Sequence, residues 1–207
     1  MNVIEIQREL KKKQSEHRYI HTIGVQYTSI CLAMKYGYDI QKAELAGLLH
    51  DSAKHYSNEK LLKTCLKQNV PVSEIERQSP FLLHGKAGAV LAQRKYDIYD
   101  EDILNAIRFH TTGRPNMSLL EKIVFVADYI EPGRNVAPNL DALRKLSFEN
   151  IDEAVYEILK QTLFYLKKKK AIVDPSSIET YNFYRILTGR EEDEQFELRC
   201  KNCSGSA

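Results

Sequence analysis

His50 and Asp51 are adjacent in a stretch of small and apolar residues, AGLLHDSAK, that has the composition of a buried helix. An imidazole and a carboxylate are costly to bury unless each has a partner. A metal ion is a common partner, because neutral imidazole and carboxylate both bind zinc, iron or manganese. The pair alone is a weak signal, since a buried histidine that bonds to a backbone carbonyl is the ordinary alternative.

Helical spacing places further residues of the same type on apolar faces. Asp128 follows Leu120, Val124 and Ala127 on one stripe of its helix. The same spacing places three histidines on apolar stripes of three other helices: His21, His84 and His110. Five helices that each direct a histidine or an aspartate inward indicate one metal-centred pocket. Five separately satisfied core residues would be a less economical explanation.

The elements that must position these residues are predicted to be helical throughout. Glycine (9) and proline (6) are scarce, and no segment alternates polar and apolar residues as a strand would. We therefore predict an all-α helical bundle, with one domain over residues 1–189 and a polar, mobile tail over residues 190–207. The predicted helices cover residues 2–13, 15–36, 40–53, 58–68, 83–95, 101–110, 118–130, 140–146, 150–169 and 176–189, with a turn or short helix at 73–76.

Composition excludes several classes of function. A chain of 207 residues with 43% hydrophobic and 28% charged residues is typical of a soluble globular protein, and a net charge of +2 argues against a nucleic-acid binder. No segment has the length of a membrane span or the form of a signal peptide, so we predict a cytoplasmic protein. Cys31 and Cys65 are predicted to be buried thiols. The Cys200–Cys203 pair is assigned to the tail rather than to a metal site.

Four motifs give this sequence a family resemblance. The order His21, His50-Asp51, Asp128 resembles the pattern of the HD superfamily of metal-dependent phosphohydrolases. Longer segments are similar to the bacterial YqeK-type subfamily, from about residue 1 to Gly189. They are HRYIHTIGV from His17, HDSAK from His50, AIRFHTTGRP from Ala106 and EKIVFVADYIEPGR from Glu121.

The resemblance implies symmetrical hydrolysis of diadenosine tetraphosphate to two ADP molecules at a metal centre. Iron is the metal expected first, with manganese, cobalt, nickel or zinc as alternatives. The implied metal ligands are His21, His50, Asp51 and Asp128. The implied nucleotide contacts are Arg18, Asp51, Lys54, His84, His110, Asp128, Arg134 and a nucleoside cradle of Ala171, Ile172, Val173, Asp174, Pro175 and Ser176.

Each implied catalytic residue has a chemical task in this reading. Asp51 or Asp128 could orient the attacking water, and Lys54 lies one turn beyond His50-Asp51, where solvation of a helix end is an equal alternative. His84 and His110 could protonate the departing ADP or bridge a second metal, and one metal is the simpler expectation. A different nucleotide substrate, such as a deoxynucleotide or an alarmone, and a nucleotide-binding regulatory protein stay open as alternatives. A homodimer is possible.

Overall fold

A computed structural model describes residues 2–190, and the only regular secondary structure in this part of the chain is helical, without strands. The predicted all-α class is confirmed. In chain order the α-helices are α1 Val3–Lys13, α2 Glu16–Tyr36, α3 Ile40–Leu49, α4 Asn58–Lys67, α5 Glu74–Gln78, α6 His84–Tyr96, α7 Glu101–Phe109, α8 Leu119–Ile130, α9 Leu140–Glu149, α10 Ile151–Lys168 and α11 Pro175–Leu187. A 3-10 helix, Pro80–Leu83, leads into α6.

Short polar side chains begin most of these helices. Ser118 accepts a hydrogen bond from the Glu121 amide, and the Glu121 carboxylate accepts one from the Ser118 amide, which is the capping box that the sequence predicted. Asn150 caps α10 in the same manner through the amides of its first turn. Gly37 ends α2 in the left-handed conformation, at a φ of +65° that glycine adopts without strain.

The long helices α2 and α8 pack against each other at the centre of the bundle. Each contributes fully buried side chains, among them Val25 and Leu32 from α2 and Val124 from α8. Helices α3 and α7 pack against α8, and α10 lies on its other side. The C-terminal ends of α3 and α7 and the start of α6 bring His50, His110 and His84 together near the last turn of α8, where Asp128 lies.

The structure departs from the sequence prediction in four places. Helix α3 ends at Leu49 instead of Ala53, because residues 52–56 form tighter turns whose amides bond to carbonyls three residues back. The 3-10 helix was not predicted, and α9 continues to Glu149 rather than ending at residue 146. Cys31 is exposed, whereas Cys65 is buried as predicted, since Leu32 and not Cys31 continues the buried stripe of α2.

Two further sequence predictions concern the tail and the membrane. Among the described residues, no helix is both long enough and apolar enough to span a bilayer. The Cys200–Cys203 pair and the predicted tail after residue 190 lie outside the described residues.

Gly47 in α3 is the closest point of contact between α3 and α2. A Cβ at this position would lie 2.7 Å from Ser29 Oγ and 3.1 Å from Gln26 Cα. Alanine gains about 1 kcal/mol of helix propensity, but overpacking of a buried contact costs about 1–3 kcal/mol or more. We expect Gly47→Ala to lower the free energy of unfolding by about 1–2 kcal/mol in urea denaturation.

A second substitution separates the steric clash with Ser29 Oγ from other effects of Gly47→Ala. The Ser29 hydroxyl has no hydrogen-bond partner, so Ser29→Ala alone should leave stability close to that of the original protein. Combined with Gly47→Ala, it should restore part of the lost stability because the nearest atom is gone. Wild-type stability for Gly47→Ala alone would show that the two helices can separate without cost.

Candidate metal centre and active site

Three histidines of the site follow the last residues of helices and use the same backbone contact. The Nδ1 atoms of His50, His84 and His110 lie 2.7–2.8 Å from the carbonyl oxygens of the residues three positions earlier, which are Gly47, Phe81 and Ile107. A carbonyl oxygen only accepts, so each Nδ1 carries the proton and donates it. Each Nε2 therefore has a free lone pair directed into the interior of the bundle.

His21 is held in the same tautomer by a carboxylate. Its Nδ1 donates to Glu131 Oε1 at 3.0 Å, and Glu131 is itself buried and accepts a hydrogen bond from the Gly133 amide at 2.6 Å. Gly24 leaves room for this carboxylate, because a Cβ at Gly24 would collide with Glu131 Oε2. The ring of His21 thus presents Nε2 to the same point as His50.

The Nε2 atoms and two carboxylates meet at distances that suit shared ligation of an ion. His21 Nε2 lies 3.0 Å from Asp128 Oδ1, and His50 Nε2 lies 3.8 Å from Asp128 Oδ1 and 3.7 Å from Asp51 Oδ2. Ligands that share one ion through bonds of about 2.0–2.2 Å are separated in this way. Buried His50 Nε2 and Asp51 Oδ1 have no hydrogen-bond partner in the protein. The four predicted ligands therefore fit a metal ion.

A second group of possible ligands shares Asp51. His84 Nε2 and His110 Nε2 each lie 3.5 Å from Asp51 Oδ1 and 3.2 Å from each other. The trio of Asp51, His84 and His110 has ligand atoms within 4.8 Å of one another, as has the trio of His21, His50 and Asp51. Thr111 Oγ1 lies 3.1 Å from both His84 Nε2 and His110 Nε2.

Burial and neighbouring charge set the ionisation of the site for metal binding. Burial lowers the pKa of His50 to about 4 and that of His84 to about 3, so both rings are neutral at pH 7. Burial alone would raise the pKa values of Asp51 and Asp128, but the adjacent histidines hold both well below their usual range. Burial lowers the pKa of His21, yet hydrogen bonds to Asp128 and Glu131 outweigh it and the net shift is upward.

Three cations surround the metal centre. Arg18 Nη1 donates to Asp51 Oδ2 at 2.7 Å, and Arg134 Nη2 donates to Asp128 Oδ1 at 3.2 Å. Lys54 Nζ lies 3.0 Å from His84 Nε2, and desolvation lowers the pKa of its ammonium group. The positive groups are thus placed directly against the residues that would hold the metal, where a phosphate chain would need neutralisation.

These residues line a cavity of about 500 Å³, and a second cavity of about 550 Å³ lies beside it. Thr111 lines both cavities. Of the predicted nucleoside cradle, Asp174, Pro175 and Ser176 line the second cavity together with Phe109. The other three cradle residues, Ala171, Ile172 and Val173, line neither cavity.

Sequence reasoning placed every predicted ligand and cation in one cluster and missed Glu131 and Thr111. Helical spacing could not find Glu131, since it lies in the turn after α8 as the C-cap of that helix. The available signal was its place beside Pro132-Gly133, within the segment that the family resemblance already covered. His17 also lines the first cavity.

The chain belongs to the HD domain family, whose model matches residues 18–133. It is 43% identical over 183 residues to "Bis(5'-nucleosyl)-tetraphosphatase, symmetrical" of Bacillus subtilis, an alignment that covers 88% of this chain and 97% of that protein. The protein of the same name from Staphylococcus aureus is 37% identical over 94% of this chain and 100% of its own. A crystal structure from Clostridium acetobutylicum, described as an HD superfamily hydrolase involved in NAD metabolism, superposes with a TM-score of 0.87 at 40% identity and covers 90% of this chain and 98% of that one.

Metal binding should stabilise the folded protein, because the four ligands converge only when it is folded. At a metal concentration 100 times the dissociation constant, the gain is about 2.7 kcal/mol, or about 5–10 °C in the unfolding midpoint for a chain of this size. We expect Mn²⁺ to produce this shift in calorimetry. His50→Ala should reduce the shift to below about 2 °C, while the exposed His55→Ala should keep it. An undiminished shift in His50→Ala would rule out His50 as a ligand.

Glu131 should control metal affinity without contacting the metal. Glu131→Gln keeps the size of the side chain but removes the charge that fixes the His21 ring, and loss of such a partner typically costs 10- to 100-fold in affinity. Titration with Mn²⁺, followed by calorimetry, should show a loss of about that size. Glu149→Gln removes the same charge from an exposed helix end and should have no effect. Unchanged affinity in Glu131→Gln would mean that packing alone orients His21.

Proposed function

We propose that this protein is a metal-dependent hydrolase that cleaves diadenosine tetraphosphate symmetrically into two ADP molecules. The observation that carries the proposal is the cluster of His21, His50, Asp51 and Asp128. Arg18 and Arg134 contact its two aspartates, and Lys54 contacts His84 beside it. Three of the four clustered residues and all three cations line one cavity. Two relatives that align with this chain over nearly their whole length carry the name of that activity.

The metal ion is the first component of the proposed reaction. His21, His50, Asp51 and Asp128 would hold it, and we propose iron. When bound, such an ion polarises a phosphoryl oxygen and makes water a better nucleophile at neutral pH. The neutral ring of His50 and the ionised carboxylates of Asp51 and Asp128 are the protonation states that binding requires, and His21 would give up a proton from Nε2 if it carried one.

The cations of the chain would bind and orient the tetraphosphate. Arg18 and Arg134 each present a planar fork that can pair with two oxygens of a phosphate, and each already contacts a carboxylate of the metal centre. Lys54 contributes a point charge on the side of His84. Together they would neutralise the negative charge that builds up on the phosphates around the central bond.

The central phosphoanhydride bond breaks when one water adds across it. The water oxygen joins one of the two inner phosphorus atoms, and the bridging oxygen leaves with the other, so that each half becomes ADP. Asp51 or Asp128 would orient the water and accept its proton through a carboxylate oxygen. The Nε2 atoms of His84 and His110 are acceptors, so on that side Lys54 would supply the hydrogen bond to the leaving oxygen.

One nucleoside of the substrate would occupy the second cavity. Asp174, Pro175 and Ser176 form one side of it and Phe109 another, which offers both polar groups and an aromatic surface to a nucleoside. The proposed binding partner of the protein is therefore a small nucleotide rather than a nucleic acid. The cytoplasmic location and the homodimer stay predictions.

A product assay tests the proposal directly. The iron- or manganese-loaded protein should convert diadenosine tetraphosphate to ADP alone. Asp128→Ala should lower kcat/KM by at least about 100-fold, with helix content unchanged in circular dichroism. This loss exceeds the 10- to 100-fold that typically follows removal of a residue that only hydrogen-bonds to a metal ligand. Asp141→Ala, at a fully exposed carboxylate, is the matched control and should keep full activity.

Two results would count against this assignment. AMP and ATP as products would mean that the cut is asymmetrical. A preference for a deoxynucleotide or an alarmone in a competition panel would move the activity to a different substrate at the same metal centre.

A further inference from the structure

The two cavities share Thr111 as a lining residue and have nearly equal volumes of about 500 and 550 Å³. The Thr111 hydroxyl contacts both His84 and His110, so this shared wall is also part of the metal centre. A substrate with two identical halves that is cut at its midpoint must direct one nucleoside to each side of the metal. The second cavity accounts for only one of the two.

The outer wall of the first cavity has apolar side chains that the phosphate chemistry does not use. Ile20 projects from α2 with 58% of its surface exposed, and Val136 lies in the turn after α8 with 92% exposed. Tyr129 and Ala137 also line this wall. The cations Arg18 and Arg134 line the same cavity. The cavity thus offers charged groups to the phosphates and an apolar surface to a base.

The turn that carries Val136 is fastened to the rest of the fold before any ligand binds. Arg144 of α9 donates to the carbonyl oxygens of Ile130, Glu131 and Arg134 at 2.8–3.2 Å. Arg134 also donates from Nε to the Asp128 carbonyl oxygen at 3.1 Å. The base of this wall is therefore tied to the helix that bears Asp128, and a ligand would meet a largely formed surface.

We propose that Ile20 and Val136 form a second nucleoside subsite, which holds the half of the dinucleotide that lies outside the second cavity. This inference rests on the proposed function, because it assigns the second half of that substrate. The subsite recognises a nucleoside through apolar contact with the base and ribose. It therefore makes the protein favour a substrate with a nucleoside at both ends over one with a nucleoside at a single end.

Paired substrates test the subsite. Diadenosine tetraphosphate and adenosine 5'-tetraphosphate share four phosphates and one adenosine, and they differ in the second nucleoside. In the double variant Ile20→Ser/Val136→Ser, kcat/KM for diadenosine tetraphosphate should fall by about tenfold, the lower end of the effect that lost apolar contact in a substrate pocket produces. The inhibition constant of adenosine 5'-tetraphosphate, measured as a competitor, should change by less than about twofold.

The matched control is Met34→Ser. Met34 lies on the same helix as Ile20, has 57% of its surface exposed, and lines neither cavity. It should leave both constants unchanged. An unchanged kcat/KM in the double variant would show that the second nucleoside stays in solvent, and equal losses for both compounds would show that the rim serves the phosphates or the fold. Either result overturns the subsite, whereas a wild-type protein that releases no ADP overturns the proposed function itself.

Discussion

The site depends on a hydrogen bond between a histidine ring and the carbonyl oxygen three residues earlier, used three times. The last carbonyls of a helix have no partner within the helix. His50, His84 and His110 each satisfy one of these carbonyls with Nδ1–H, and this leaves Nε2 as the acceptor. One contact thus ends a helical segment, fixes a tautomer and directs a lone pair. The fourth histidine, His21, lies within a helix and needs Glu131 for the same purpose.

The two explanations that the sequence allowed for a buried histidine concern different atoms of the same ring. The Nδ1 atom is satisfied by a backbone carbonyl, as in an ordinary core histidine. The Nε2 atom of His50 has no protein partner. A metal site in this fold is built from residues that already have a structural role, so loss of the metal would not leave every polar atom of the site without a partner.

Periodicity predicted which side chains face the interior because it reports which face of a helix is buried, and Asp128 and His21 lie on regular helices. It failed where the chain leaves the regular helix. The end of α3 at Leu49 is followed by tight turns over residues 52–56, and the 3-10 helix before His84 begins at Pro80; neither produces a 3.6-residue pattern. Glu131 was missed for the same reason. The predicted cradle illustrates the remaining limit: residues 171–176 are contiguous in sequence, but only the last three reach the cavity wall.

Gly24 shows how far the requirements of the metal centre extend beyond its ligands. It offers no atom to the ion or to the substrate, and its only contribution is the empty space beside the Glu131 carboxylate. Any side chain at residue 24 would displace the Glu131 carboxylate that orients His21. The effect on metal binding would therefore pass through Glu131 and then His21. A survey of tolerated substitutions would therefore rank position 24 with the ligands, although no inventory of donor atoms includes it. The lack of a side chain at Gly24 is therefore as strict a requirement of the site as the imidazole of His21.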